Sequence, residues 1–113
     1  MTSVPAKTTR CRFGVATREV TPPLAAYGRW WGAALHDQKV GVHKPLLASA
    51  AVIAPLESSG DPLVLVTVDN CVFAPQDEAA LRVTIRERAG LPEANLMLTP
   101  SHSHSSANIN TAN

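Results

Sequence analysis

The stretch "LVLVTVD", residues 63 to 69, is apolar and largely β-branched up to its closing carboxylate, and it constrains the fold more than any other segment. A run this short without polar alternation reads as a strand covered on both faces, the habit of a central strand in a partly parallel sheet. Next comes "APQDEAALRVTIRERAGLP", residues 74 to 92, in which Ala80, Leu81, Val83, Thr84 and Ile85 recur near helical spacing. Asp77 and Glu78 fall early, Arg86 and Arg88 late, and Gly90 and Pro92 close the segment, so charge and stop signals both fit a helix. "NLMLT", residues 95 to 99, reads as another short buried strand. Strand, helix and strand in close succession predict a right-handed βαβ unit over residues 63–99, and hence an α/β fold with a mixed, partly parallel sheet.

The N-terminal half supplies further strands. Residues 1–9 lack periodicity and read as a mobile tail. In "CRFGVATREV" the apolar Cys11, Phe13 and Val15 alternate with Arg12, Gly14 and Ala16, a half-buried strand that the prolines of "TPP" bring to an end. "LLASAAVIA", residues 46 to 54, reads as a strand buried on both faces, and "ESSGDP" as the turn after it. Between Pro22 and Pro45 lies an irregular stretch holding Tyr27, Trp30, Trp31, His36 and His43. Long loops of this kind are functional or disordered, and three aromatic rings argue for packing over disorder. The histidines there read as hydrogen-bonded loop residues. At 113 residues, a single domain over 10–113 is expected, burying about two thirds of its unfolded surface.

Charge narrows the class of partner. Ten basic residues against nine acidic ones leave a net charge of +1 with no basic patch, which argues against nucleic acid or an anionic membrane as partner. Cys11 and Cys71 are the two cysteines; they stand in no metal-binding or redox spacing and read as buried or half-buried thiols. The N-terminus has no apolar core of roughly seven to fifteen residues, as a secretory signal would. With no stretch long enough to span a membrane, a cytoplasmic location is expected.

Chemistry concentrates in "TPSHSHSSAN", residues 99 to 108. In open α/β sheets ligands bind beyond the carboxyl ends of the strands. "VDN" leaves one strand of the expected parallel pair and "SHSH" leaves the other, so Asp69, His102 and His104 should converge. Imidazoles are good zinc ligands, and a carboxylate can bind the ion or orient a histidine through its second ring nitrogen. If the backbone stays extended, residues at i and i+2 point the same way and both rings face one cavity. A solvated polar loop, with Asp69 as a turn or capping carboxylate, is the plainer reading of the same residues. Ser101, Ser103, Ser105 and Ser106 are too numerous for any one to stand out as a nucleophile.

Four segments in order, "FGVATREVTPPLAAYG", "GVHKPLLASAAVI", "LVLVTVDN" and "AGLPEANLMLTPSHSHSS", resemble the opening of the neutral/alkaline, non-lysosomal ceramidase family. That family shows a G-x-A-x-x-x-x-T-P-P start, a G-V-H-D-P-L segment and a strand leading into T-H-T-H-S-G-P. The resemblance implies a zinc amidase that cleaves the N-acyl bond of ceramide or a related lipid amide. It makes His102 a zinc ligand and His104 a catalytic residue lining the site, with Asp69 behind them. It also implies that this chain corresponds to the N-terminal part of a larger domain whose further His, Glu and Tyr complete the zinc shell, so that the chain alone is inactive. The chain departs from the pattern at Ala26, Lys44, Ser106 and Ala107, where the family has Gly, Asp, Gly and Pro. A non-catalytic α/β module, or a truncated pseudoenzyme keeping only the scaffold, is the alternative.

Overall fold

A computed structural model of the chain describes residues 8–57 and 59–108. Most of the expected N-terminal tail, residues 1–7, lies outside them, as do residues 109–113. Four strands form one sheet in the order β1 (Cys11–Glu19), β2 (Leu47–Pro55), β3 (Leu63–Val68) and β4 (Leu96–Pro100). β1 and β2 pair antiparallel from Cys11 opposite Pro55 to Glu19 opposite Leu47, and β2 and β3 are also antiparallel. β3 and β4 run parallel, with Val64 beside Leu96 and Val68 beside Pro100. The mixed sheet and the βαβ unit thus form as the residue pattern predicts. Among the described residues no helix is long and apolar enough to cross a membrane.

The crossover is helix α1 (Pro75–Ala89), which begins with Pro at its first turn and carries Asp77 and Glu78 there, with Arg86 and Arg88 in its last turn. It stops at Gly90, whose φ of 64° is left-handed; the Leu91 amide donates to the Arg86 carbonyl at 3.0 Å to close the end. Apart from its chain neighbours and the helix's own backbone, nothing among the described residues stands within 4 Å of where a Cβ would be at Gly90. Gly90→Ala therefore isolates the backbone term and is expected to cost about 1 kcal/mol in urea unfolding.

Only one stripe of α1 faces protein. Asp77, Glu78, Leu81, Arg82, Ile85 and Arg86 are half-buried, whereas Ala80, Val83 and Thr84, which the spacing placed on the apolar face, are exposed. Arg82 explains how so polar a face can dock. Its Nε donates to Glu78 at 2.9 Å and its Nη1 to the Leu96 carbonyl at 3.3 Å, tying the helix to β4 while its stem covers apolar surface.

Burial departs from the sequence reading on the other face of the sheet. The helix side holds the buried Leu91, Leu96 and Leu98. The opposite side presents Phe13 (66% exposed), Val15 (63%), Leu63 (50%), Leu65 (41%) and Met97 (59%), aligned across the strands by the register. β1 is exposed at every residue, and β2 and β3 reach only half-burial. Strands expected to be half-buried or covered on both faces are therefore covered on one at most, because α1 is a single layer against one side. The radius of gyration, 18.1 Å, exceeds the roughly 13 Å of a compact domain of this length.

Candidate metal centre

β3 and β4 end side by side, and the chain beyond each end is stitched to the other. The Ser101 amide donates to the Val68 carbonyl at 2.9 Å and the Ser103 amide to the Asn70 carbonyl at 3.1 Å, continuing the parallel ladder past the strands. Asn70 Nδ2 donates to the Val72 carbonyl at 2.8 Å. Ser106 closes the loop: its Oγ accepts from the Cys71 amide at 3.0 Å and donates to the Ser103 carbonyl at 3.2 Å. Asn70, Cys71, Ser106 and Ala107 are all buried. Ser106 and Ala107 are thus the packed base of this loop.

On that base Cys71, His102 and His104 come together. One donor atom from each lies within 4.8 Å of the others, so the three form a group that could hold a metal ion. Cys71 is buried while both imidazoles are exposed. His102 Nδ1 lies 3.0 Å from the Cys71 carbonyl and 3.9 Å from the Cys71 sulfur; the tautomer protonated at Nδ1 would donate to that carbonyl and leave the Nε2 lone pair free. Such a bond is how ligating histidines are usually oriented. The rings of His102 and His104 meet edge to face at 5.1 Å, and Trp31 stands edge-on to His104 at 6.1 Å.

The donor set is of a kind that a borderline-soft divalent ion such as zinc accepts. One thiolate and two imidazoles match its borderline softness, and tetrahedral bonds of about 2.0–2.3 Å place donors roughly 3.3–3.7 Å apart. The observed spread needs about an ångström of closure, within the reach of side-chain rotation. Three protein donors would leave one position of a tetrahedral ion to water or a ligand.

His102 brings its ring inward by a different route from the extended backbone expected. β4 stops at Pro100, and His102 has φ 63°, the one non-glycine residue with positive φ among those described. Strain of this kind clusters at functional sites. His102→Gly is expected to unfold about 1 kcal/mol less easily than His102→Ala, since both lose the imidazole and only Gly relieves the backbone.

Asp69 sits at the expected strand end but its bonds go elsewhere. Its Oδ2 accepts from the Leu47 amide at 2.9 Å and its Oδ1 from the Ser101 hydroxyl at 2.9 Å, while its own amide donates to the Leu47 carbonyl at 2.8 Å. It clamps β2 to the segment that leads into His102, and among the described residues neither oxygen is bonded to an imidazole. Cys71 takes the place beside the histidines. The register would have shown this: carried past the strand ends it sets Asn70 opposite His102 and Val72 opposite His104, with Cys71 between them. The two cysteines are free, Cys71 buried as expected and Cys11 exposed on the uncovered edge strand, contrary to expectation. Trp31, expected to pack, is 62% exposed over the site.

Compared with known proteins, the chain matches no family model, no curated protein and no solved structure.

Proposed function

We propose that this chain carries the zinc-holding part of an amidase that cleaves the N-acyl bond of ceramide-like lipids, as the N-terminal portion of a larger ceramidase-like domain. The observation that carries the reading is the meeting of Cys71, His102 and His104 within 4.8 Å beyond the carboxyl ends of the parallel strands. A zinc ion bound there supplies Lewis acidity, activating water and polarising an acyl carbonyl. Cys71 anchors the group from the buried side. The Cys71 carbonyl, 3.0 Å from His102 Nδ1, would favour the tautomer that frees Nε2. His104, edge-on to Trp31, would supply the second imidazole to the ion, so the proton of an attacking water has to go to a group outside these three residues. The uncovered apolar face supports the larger-domain part of the reading, since exposed patches of this kind mark surfaces that another layer covers.

A non-catalytic α/β module is the second reading. It is favoured by the absence of any carboxylate from the three-residue group among the described residues. A lauroyl hydroxamate, which chelates an open zinc position, separates the two. The amidase reading expects it to bind the zinc-loaded chain and to lose that binding in His102→Ala. Binding that is indifferent to zinc or to His102 would leave only the scaffold. Turnover of a fluorogenic ceramide by the chain alone is expected to stay at background, because an open, wet site weakens every electrostatic interaction a transition state needs.

A further inference from the structure

Two cavities meet at His104. One, of about 420 Å³, is lined by His36, Lys39, His43, Lys44 and Ser103, and among the described residues no carboxylate borders it. Asp37, close in sequence, pairs instead with Arg29 at 3.5 Å. The other, of about 380 Å³, is lined by Trp30, Trp31, Ala33 and Ala34. Gly28, His36 and His104 belong to both. The metal group's imidazole therefore stands between a basic compartment and an indole-lined one. A substrate cleaved at an amide must straddle the reacting carbonyl, with its acyl chain on one side and its amine-side head on the other.

Lys39 gives the basic compartment its character. Its Nζ is out of solvent and has no hydrogen-bond partner among the described residues. It lies so close over Gly28 that a Cβ there would collide with it, with Lys39 Cε 3.1 Å away. Burial pushes the pKa of this amine below the ordinary lysine value, and an arriving anion would supply the missing partner and push it back up. Trp30 Nε1 is likewise buried without a partner in the neighbouring wall, a donor open to a substrate oxygen.

We infer that the N-acyl substrate, unlike ceramide with its neutral hydroxyl head, carries an anionic head, docked between Lys39 and Lys44, while its acyl chain lies along Trp30 and Trp31. The inference rests on the amidase reading for the word substrate, yet its test needs neither metal nor turnover. Binding to the full chain is measured by calorimetry and tryptophan fluorescence with metal chelated, using three probes of matched chain: N-lauroylglycine, N-lauroyl-phosphoethanolamine and the neutral N-lauroylethanolamine. Both anionic probes are expected to bind about tenfold or more tightly than the neutral one, in a salt-dependent way. A preference confined to one of them would identify the head as carboxylate or phosphate. Lys44→Ala, at an exposed position, and Lys39→Met should each cut the preference several-fold, while Trp31→Ala should weaken all three probes alike. Equal binding of charged and neutral probes, binding of none, or a preference that survives both lysine substitutions would overturn the inference. Loss of zinc binding would leave it standing.

Discussion

Cys71→Ser is expected to weaken zinc binding by about 100-fold or more, since altering even a residue that only orients a ligand costs about 10–100-fold. Among the three residues Cys71 is the buried one, 4% exposed, and its sulfur lies 3.9 Å from the His102 ring. Its thiolate is the soft donor that favours zinc over magnesium or calcium, so the substitution should also flatten that selectivity. Competition with a chromophoric chelator reads the affinity, and far-ultraviolet circular dichroism checks that the fold survives. The bond from the Cys71 amide to the Ser106 hydroxyl does not depend on the Cys71 side chain and should persist. Cys11→Ser, on the exposed edge strand, is the matched control and should change nothing. Wild-type affinity in Cys71→Ser would remove cysteine from the site.

Asp69→Ala is expected to destabilise the fold by about 1.5–3 kcal/mol, the worth of two hydrogen bonds to a partly exposed carboxylate. Against a typical total of about 5–15 kcal/mol, that is a large share, and this open sheet has little core to offset it. The loss follows from position: the carboxylate joins the first residue of β2 to the segment between β4 and His102. Asp69→Asn keeps one acceptor and should lose about half as much. In the same protein zinc affinity should stay within about threefold, whereas an aspartate that oriented a ligand would cost 10–100-fold on removal. Urea unfolding and metal titration on one preparation therefore decide between clamp and ligand support. A substitution neutral for stability but severe for zinc would reverse the assignment.

Some features were legible in the residues because they depend on local rules. The βαβ unit follows from the β-branched run at Leu63–Val68, the proline and acidic start of α1, and Gly90 at its end. That Asp69 and the two histidines leave neighbouring strand ends follows from the same topology. Burial was not legible. Phe13, Val15 and Leu65 satisfy every local criterion for an inward-facing strand residue, and they are exposed because cover comes from another layer, which a strand's own sequence does not encode. Arg82 and Arg86 show the converse: charged residues occupy the docked stripe of α1 because their stems pack and their heads bond to Glu78, Leu96 and Glu93.

The site was half legible for a related reason. Histidines announce themselves, but Cys71 in isolation looks like a small core residue, and only the parallel register brings it beside His102 and His104. The turn that makes this possible is equally hidden. A left-handed histidine has no sequence signal, and Ser106, which holds the loop from beneath, looks like one serine among four. Asp69 carried the opposite risk, since a carboxylate beside two histidines invites a metal role that its two hydrogen bonds do not support.

X-ray absorption at the zinc edge of the metal-loaded chain tests the central claim most directly. One sulfur at about 2.3 Å with two imidazole nitrogens at about 2.0–2.1 Å, and a light atom in the remaining position, is the expected shell. A shell of nitrogen and oxygen alone, with no sulfur scattering, would contradict the Cys71–His102–His104 centre.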